Sequence, residues 1–438
     1  MTIISKHAPK GAFVWVWLPG ATVSVVAGRI ERLAGDRYAF AYGQSYLARP
    51  DAVPIYTPEL PLQRGSQEPP EGMQIASALR DGAPDAWGRR VIINRAMRRL
   101  SVGAEEVTLD ELAFLLESGS DRIGGLDFQE SATIYVPRAS ENASLEELLR
   151  AADMVQTGLP LTPELAEAML HGTAIGGARP KALIEGGDRK YIAKFSASND
   201  TYSVVEGEFV AMRLARLAGL CVADVRLESA GGKRVVLIER FDRQRVGEGW
   251  SRRMLVSALT ILGLDEMLAR YASYADLAEK VRLTFTDPLA TLRELFERIV
   301  FNVLVGNTDD HARNHAAFWD GEMLTLTPAY DICPQPRTGG EASQSMKIHA
   351  EDRSSRLSTC VIAAPTFGLS HRQAIEVAER QMEVVRSSWT AICDEAELSA
   401  VDRVFFLGRQ VLNPYAFDDL EGPTAVLRDL AREIRARA

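Results

Sequence analysis

Three polar residues in the last third of the chain have the types and the spacing of a phosphotransferase base and its metal ligands. Asp309 and Asn314 lie within residues 306–315, and Asp331 ends residues 328–331. A carboxylate at 309 could orient and deprotonate a hydroxyl. A carboxamide oxygen five residues later and a second carboxylate could hold Mg²⁺ against phosphates. Mg²⁺ prefers oxygen ligands, so the pattern favours phosphoryl transfer with this ion.

Asn and Asp also populate ordinary polar loops, which is the alternative interpretation of this segment. The apolar spacing of residues 292–305 predicts an amphipathic helix that leads into the loop. An apolar strand is predicted to lead into Asp331. Catalytic groups are commonly placed on loops that such elements position, so the functional interpretation is favoured.

A zinc site is a second alternative, because His311 and His315 are four residues apart, as on a zinc-binding helix. The segment offers neither a flanking Glu as general base nor a third ligand. The magnesium interpretation is therefore preferred, and His311 is expected to order the loop by hydrogen bonding.

A glycine-containing loop, residues 173–181, precedes a predicted strand. Gly176 and Gly177 would let backbone N–H groups approach phosphate oxygens. The loop is not a Walker loop, which requires Gly-Lys-Ser or Gly-Lys-Thr before a helix. Alone, two adjacent glycines predict only a turn.

Lys194 lies inside the predicted strand 191–195, where it either faces solvent or turns inward as a phosphate-binding charge. The following helix carries Glu206 and Glu208, and protein kinases pair a strand lysine with a helix glutamate. Glu208 is the preferred partner.

Residues 239–243 directly follow the buried strand 235–238. A two-lobed kinase has its adenine-reading hinge at such a strand end. A plain charged loop is the alternative interpretation.

The composition is that of a globular protein with two or three compact units. The 438 residues are 46% apolar and 25% charged, and the formal net charge of −9 argues against a general nucleic-acid binder. The four scattered cysteines suit a reducing compartment. No apolar run approaches the roughly 20 residues of a membrane span, so a cytoplasmic location is expected.

The amino-terminal third is predicted to be β-rich. A hairpin is expected over residues 14–26, with its turn at Pro19-Gly20, followed by strands at 38–42 and 53–56. Helices are expected around 87–100, 109–117 and 206–220, and a second hairpin around 186–188. From about residue 251 onward the chain is expected to be mostly helical.

Four ordered motifs resemble the HipA family of serine/threonine kinase toxins. They are Gly-Gly-Ala-Arg-Pro-Lys (176–181), Glu-Arg-Phe-Asp-Arg (239–243), Asn-Thr-Asp-Asp-His-Ala-Arg-Asn (307–314) and Pro-Ala-Tyr-Asp (328–331). Residues 84–90 and 121–124 are similar to the first subdomain of that family. The resemblance implies a mixed α/β (α+β), two-lobed kinase-like fold. Its parts would be an N-terminal subdomain (1–140), a kinase N-lobe (165–243) and a helical C-lobe (244–438).

The resemblance also implies a set of site residues. The catalytic base falls on Asp309 and the metal ligands on Asn314 and Asp331. With the loop and helix positions above, the expected ATP-binding residues are Gly176, Gly177, Ala178, Lys181, Lys194, Glu208, Glu239 and Phe241. ATP and Mg²⁺ are the implied cofactors.

The implied partners are a protein substrate, in studied members often an aminoacyl-tRNA synthetase, and a helix-turn-helix antitoxin (HipB-like). DNA would be contacted only through that antitoxin.

The sequence departs from the family pattern at one position of the glycine-rich loop. Family toxins often carry a serine there that silences the kinase when it is phosphorylated. Its position here is Ala174, and the adjacent Thr173 is one residue out of register.

Two other functions remain open from the sequence. A small-molecule or lipid kinase could use a similar Asp, Asn and Asp triad. A non-catalytic, DNA-regulatory subunit could retain the fold without the chemistry. The presence of Asp309, Asn314, Asp331 and Lys194 together argues against the second.

Overall fold

The computed structural model describes residues 3–4, 9–100, 107–138, 143–197, 200–337 and 339–437. The chain forms two compact units. The first contains residues 1–199, 228–256 and 318–322, and the second contains residues 200–227, 257–317 and 323–438.

The first unit contains most of the strands, and they pair almost entirely in antiparallel fashion. Five strands form one sheet in the order Ser66–Gln67, Tyr38–Tyr42, Val25–Arg32, Gly11–Val16 and Leu126–Gln129. A second sheet has the order Val225–Ala230, Lys233–Glu239, Arg189–Phe195 and Lys181–Gly186, and the chain enters the first unit within Val225–Ala230. Smaller pairs are Ile3–Ile4 with Val107–Thr108 and Arg243–Val246 with Gly249–Arg252.

The helices of the first unit are mostly short. Their bounds are Ala34–Asp36, Gln44–Leu47, Ser77–Arg80, Ala86–Leu100, Glu111–Glu117, Leu145–Gln156 and Pro163–Leu170. One core joins three of them to the second sheet through Trp87, Leu148, Met169, Phe195 and Val235. Because Trp87 lies in the first turn of the helix Ala86–Leu100 and is fully buried, this core fixes the start of that helix.

The second unit is mainly helical, and helices predominate after residue 257, in agreement with the prediction for the chain from about residue 251 onward. Its helices are Val204–Leu217, Ala258–Ile261, Glu266–Tyr271, Tyr274–Thr284, Pro288–Val305, Leu357–Ala363, Ala364–Phe367, His371–Glu395, Ala400–Phe406, Pro414–Phe417, Gly422–Thr424 and Ala425–Arg437. It also contains the strand Leu324–Leu326, and the chain passes between the units within the strands Leu255–Ser257 and Ala316–Trp319. Among the described residues, no helix has both the length and the apolar composition to cross a membrane.

Three local predictions differ from the structure. Residues 53–56 do not form a strand: Pro54 lacks an N–H, and the N–H of Ile55 instead donates to the Tyr42 hydroxyl over 2.8 Å. The amino-terminal hairpin is present, but its strands stop at Val16 and resume at Val25, so its connection is longer than a turn at Pro19-Gly20.

The third difference concerns Asp331, which does not end a strand. The strand stops at Leu326, and Asp331 follows five residues later with φ of +59°. An aspartate tolerates this left-handed conformation better than most residues do. The carboxylate is therefore presented by a residue in the left-handed conformation outside any strand.

Candidate functional site

The loop that carries Asp309 begins where the helix Pro288–Val305 is stopped by Gly306. Asp287 caps the start of this helix by accepting from the Ala290 N–H over 3.1 Å, and Gly306 ends it with φ of +72°. A Cβ at Gly306 would lie 2.6 Å from the carbonyl oxygen of Gln410. Both the conformation and the close approach therefore require glycine, which fixes where the loop begins.

Asp310 organises the inside of the loop. Its Oδ2 accepts hydrogen bonds from the Tyr274 hydroxyl, from Asn302 Nδ2 over 2.7 Å and from His315 Nε2 over 2.9 Å. The side chain is buried, and burial alone would raise its pKa. The charge of His315 and the bonds from His315 and Tyr274 outweigh burial and hold the pKa of Asp310 below its ordinary value.

Asp309, by contrast, is exposed at the surface of the same loop. Partial burial of its carboxylate raises its pKa above the ordinary value, and the charges of Asp331 and Asp310 add to this effect while His311 opposes it. The proposed base Asp309 and the proposed metal ligand Asp331 are thus close enough for their charges to repel one another. Asp310 was not singled out in the sequence, although the double aspartate was visible there.

Asn314 is held facing back toward Asp309. Its Nδ2 donates to the Asp309 carbonyl oxygen over 3.1 Å, and its backbone N–H donates to the His311 carbonyl oxygen over 2.8 Å. With the amide nitrogen engaged, the carboxamide oxygen is directed the other way. The Tyr330 hydroxyl donates to the Arg313 carbonyl oxygen over 2.7 Å and so joins the segments that carry Asn314 and Asp331.

The residues present fit Mg²⁺ better than zinc. An amide oxygen and a carboxylate are hard donors, and a divalent cation would relieve the repulsion between the carboxylates of Asp309 and Asp331, which adds to the effect of burial on the pKa of Asp309. Within the described parts of the chain, no group of three or more His, Cys, Asp or Glu side chains could hold a metal ion. His315 Nε2 is bound to Asp310, and His311 Nδ1 has no hydrogen-bond partner among the described residues. His311 therefore orders the loop through its backbone carbonyl.

The glycine-containing loop belongs to the first unit and is fastened to residues far away in the sequence. The N–H of Gly177 donates to Asp85 Oδ2 over 2.8 Å, and the Lys181 ammonium donates to the Gly176 carbonyl oxygen. Gly177 has φ of +103°, which requires glycine. Ala178 is exposed in the bend that follows Gly177.

Thr173 and Ala174 are both buried at the start of this loop. The Thr173 hydroxyl donates to the Leu170 carbonyl oxygen over 2.7 Å and accepts from the Gly119 N–H over 2.9 Å. Its oxygen is therefore engaged inside the first unit in this conformation.

Lys194 and Glu208 lie in different units, and their predicted pairing stays a prediction. Lys194 is buried in the strand Arg189–Phe195, opposite Lys181 on one side and Val236 on the other. Glu208 is buried in the helix Val204–Leu217.

The predicted hinge residues flank a buried charge network. Glu239 ends its strand and binds Arg189, and the ring of Phe241 meets Phe318 edge to face with centroids 5.8 Å apart. Between and after them, Arg240, Asp242 and Arg243 turn inward and are buried. Their roles as adenine-reading residues stay predictions.

Sequence reasoning missed that network, whose centre is Asp121. Asp121 Oδ1 accepts from Arg240 Nη1 over 3.0 Å and from Arg243 Nε over 2.9 Å, and its Oδ2 accepts from Lys190 Nζ over 2.7 Å. Burial opposes ionisation, but the charges of Arg240, Arg243 and Lys190 outweigh it and hold the pKa of Asp121 well below its ordinary value. The signal in the sequence was the alternation of charge in residues 239–243, which was assigned only to the hinge.

Two family models match most of the chain. Residues 173–389 match the HipA-like C-terminal domain, and residues 16–129 match the HipA N-terminal domain. Together the two matches span about three-quarters of the 438 residues, in the order in which the motifs occur.

Curated relatives are similar over parts of the chain or nearly all of it. "Putative kinase Y4mE" of Sinorhizobium fredii is 32% identical over 133 residues, which are 29% of this chain and 31% of that protein. "Serine/threonine-protein kinase toxin HipA" of Shewanella oneidensis is 29% identical over 147 residues, 30% of this chain and 34% of that protein. "Putative kinase Y4dM" of Sinorhizobium fredii is 24% identical over 407 residues, 87% of this chain and 92% of that protein. The chain thus matches about a third of the length of the first two relatives.

A solved structure has the same fold. It is HipA of Shewanella oneidensis in a complex with HipB and operator DNA, with a TM-score of 0.66 and 19% identity, and the match covers 94% of this chain and 97% of that one. The predicted mixed α/β, two-lobed kinase-like fold is confirmed.

Proposed function

The chain belongs to the HipA family, and from that membership we propose that it is an ATP- and Mg²⁺-dependent serine/threonine protein kinase, the toxin of a toxin–antitoxin system. The observation that supports this most strongly is the loop 306–315. It buries Asp310 as a fixed anchor and leaves the neighbouring Asp309 exposed, beside Asn314 and within electrostatic reach of Asp331. A base needs this combination of access and rigid support.

In the proposed mechanism, Asp309 accepts a hydrogen bond from the acceptor hydroxyl and orients it toward the γ-phosphate. Its raised pKa suits a group that must take up the hydroxyl proton as the hydroxyl oxygen bonds to the γ-phosphorus and the bond to the departing ADP breaks. Asn314 and Asp331 would hold Mg²⁺, which supplies neutralisation of phosphate charge when bound.

The proposed nucleotide contacts are those that the sequence motifs indicate. Lys194 would neutralise phosphate charge from its buried strand, with Glu208 as its partner, and the backbone near Gly176, Gly177, Ala178 and Lys181 would face the phosphates. Glu239 and Phe241 would lie at the adenine. Transfer then depends mainly on positioning and on electrostatic stabilisation of the phosphoryl group.

The proposed partner is a helix-turn-helix antitoxin of the HipB kind, through which the protein would contact DNA. Support comes from the HipA structure of the same fold, which was solved with HipB and operator DNA. The proposed substrate is an aminoacyl-tRNA synthetase or another component of translation, and such a target would place the protein in the cytoplasm.

The test is phosphoryl transfer from labelled ATP to proteins of a cell lysate, compared between wild type and Asp309→Asn. Loss of the base should lower transfer by about 10²-fold or more while ATP binding is retained. Asp418→Asn, which changes an exposed carboxylate of the same unit, is the matched control. Transfer by Asp309→Asn at the wild-type rate would remove Asp309 from the mechanism. Label on small molecules or lipids alone would favour the alternative kinase class.

A further inference from the structure

A short segment of the first unit, residues 84–88, binds the glycine-containing loop on both sides of its turn. Asp85 Oδ2 accepts from the Gly177 N–H over 2.8 Å, and the Trp87 N–H donates to the Gly177 carbonyl oxygen over 3.3 Å. The Trp87 indole Nε1 donates to the Lys181 carbonyl oxygen over 3.0 Å. Both backbone groups of Gly177 are therefore held by a segment about 90 residues earlier in the chain.

The backbones of the two segments also touch directly. A Cβ at Gly88 would lie 1.9 Å from the Thr173 carbonyl oxygen, and a Cβ at Gly176 would lie 3.0 Å from Asp85 Oδ2. Real Cβ atoms essentially never come as near to a backbone oxygen as the first of these distances. Glycine at 88 is thus required for the loop to dock.

The anchoring segment leads into a helix, whereas the docked loop lies outside any helix or strand. Trp87 is fully buried in the core of the first unit, where the helix Ala86–Leu100 packs on the second sheet. Residues 171–180 form only turns and bends. Glycines lose more conformational freedom on ordering than other residues, so the shape of this loop depends on external contacts.

We infer that Asp85 and Trp87 are positioning residues for nucleotide: residues 84–88 hold the glycine-containing loop in the conformation that receives the ATP phosphates. This rests on the proposed function, because it assumes that the loop binds phosphate. It assigns a role in nucleotide binding to the amino-terminal part of the chain, which the sequence motifs for ATP do not include.

The charge of Asp85 would act in the opposite direction to its support of the loop. Asp85 carries negative charge within hydrogen-bonding distance of a loop N–H, so it could compete with the phosphates for that donor. Removal of Asp85 separates the two effects, because loss of a support weakens ATP binding whereas loss of a competitor strengthens it.

The experiment measures loop order and ATP affinity in Asp85→Ala and Asp85→Asn. In Asp85→Ala, hydrogen exchange of the amides in residues 172–181 should accelerate. The dissociation constant for Mg²⁺-ATP, measured by calorimetry, should rise about tenfold or more, the effect of one hydrogen bond to a charged group. Asp85→Asn keeps an acceptor oxygen of the same reach and should restore much of both.

Trp87→Phe and Asp51→Ala complete the set. Trp87→Phe keeps a buried aromatic ring but removes the donor to Lys181, so it should weaken ATP binding in the same direction. Asp51→Ala removes an exposed carboxylate of the first unit and should change neither measurement. Thermal unfolding of each variant shows that it is folded.

The outcomes separate the two proposals. If wild type binds ATP but Asp85→Ala leaves both exchange and affinity unchanged, or tightens ATP binding, the positioning role is wrong. If wild type binds no ATP, the proposed function is wrong and the positioning role with it. Faster exchange in Asp85→Ala, together with weaker ATP binding and rescue by Asp85→Asn, would support both.

Discussion

The hydroxyl of Tyr330 donates a 2.7 Å hydrogen bond to the carbonyl oxygen of Arg313, and each residue directly precedes a proposed metal ligand. Asn314 and Asp331 are thereby joined through their neighbours within the second unit. A metal site needs such supporting contacts, because they hold the ligands in place before the ion arrives.

Tyr330→Phe should therefore raise the Mg²⁺ concentration required for half-maximal activity. One neutral hydrogen bond contributes about 1 kcal/mol, so the expected change is about fivefold. A magnesium titration of kinase activity at saturating ATP is the measurement. The exposed Tyr271→Phe is the matched control, and an unaltered titration of Tyr330→Phe would show that this bond does not support the ligands.

Asp310→Asn should destabilise the second unit. The substitution places an amide where one carboxylate oxygen now accepts from Tyr274, Asn302 and His315. Breaking a buried charged network of this kind costs about 3 kcal/mol or more. Urea unfolding followed by circular dichroism measures it, with Asp418→Asn as the exposed control.

The difference in stability between wild type and Asp310→Asn should depend on pH. Because the pKa of Asp310 is lowered on folding, its contribution is complete above the ordinary pKa of an aspartate, about 3.9, and is lost as pH falls through the lowered value. The gap in stability between wild type and Asp310→Asn should thus close in acid. A gap that widens as pH falls below about 4 would contradict the network described.

The adjacent pair Asp309 and Asp310 shows where sequence reasoning reaches its limit. The helix before them was predictable because its apolar period and its terminal glycine are local signals. Which aspartate is buried depends on Tyr274, which lies 36 residues away, and the sequence does not show that contact. The spacing to Asn314 selected Asp309 as the base, but the anchor beside it was not identified.

The loop at Gly177 shows the same limit over a longer distance. Its glycines predicted a turn that could approach phosphate, yet its main support comes from Asp85, 92 residues earlier.

The predicted strand at residues 53–56 is absent for a related reason. There a tyrosine hydroxyl, supplied by Tyr42, takes the N–H that a strand neighbour would have taken.

Glu59 should make the stability of the first unit fall between mildly acidic and neutral pH. Burial raises its pKa to about 7, although its Oε2 accepts from the Ala78 N–H over 2.9 Å. A carboxyl whose pKa rises on folding binds more protons in the folded state, so stability decreases as pH increases from its ordinary pKa toward 7.

Glu59→Gln keeps an acceptor for Ala78 and has no charge to bury, so it should flatten this slope and stabilise the protein at pH 8, by about 1–2 kcal/mol. Urea unfolding of wild type and variant at pH 5 and pH 8 is the comparison. Glu71→Gln, at an exposed site of the same unit, should retain the wild-type slope. A slope that persists in Glu59→Gln would assign the effect to another group.

Self-phosphorylation at Thr173 should be slow or absent. The hydroxyl is buried and already bonds to Leu170 and Gly119, and Ala174 occupies the position at which family toxins often carry their serine. To react, Thr173 would have to break both bonds and leave a segment packed against Gly88. Thr173 is the only serine or threonine between Gly172 and Lys181, so no other loop residue can replace it.

A phosphate on Thr173 would add a charge of roughly −1.5 to −2 beside the place proposed for the phosphates of ATP, and repulsion should then expel the loop and block nucleotide. If this modification does not occur, control would depend more on a protein antitoxin. Peptide mass spectrometry after prolonged incubation with Mg²⁺-ATP is the measurement, with Thr173→Val as the control for the assigned site. Rapid, stoichiometric phosphorylation of Thr173 together with loss of activity would show that the one-residue shift is tolerated, and that the two hydrogen bonds open faster than their burial suggests.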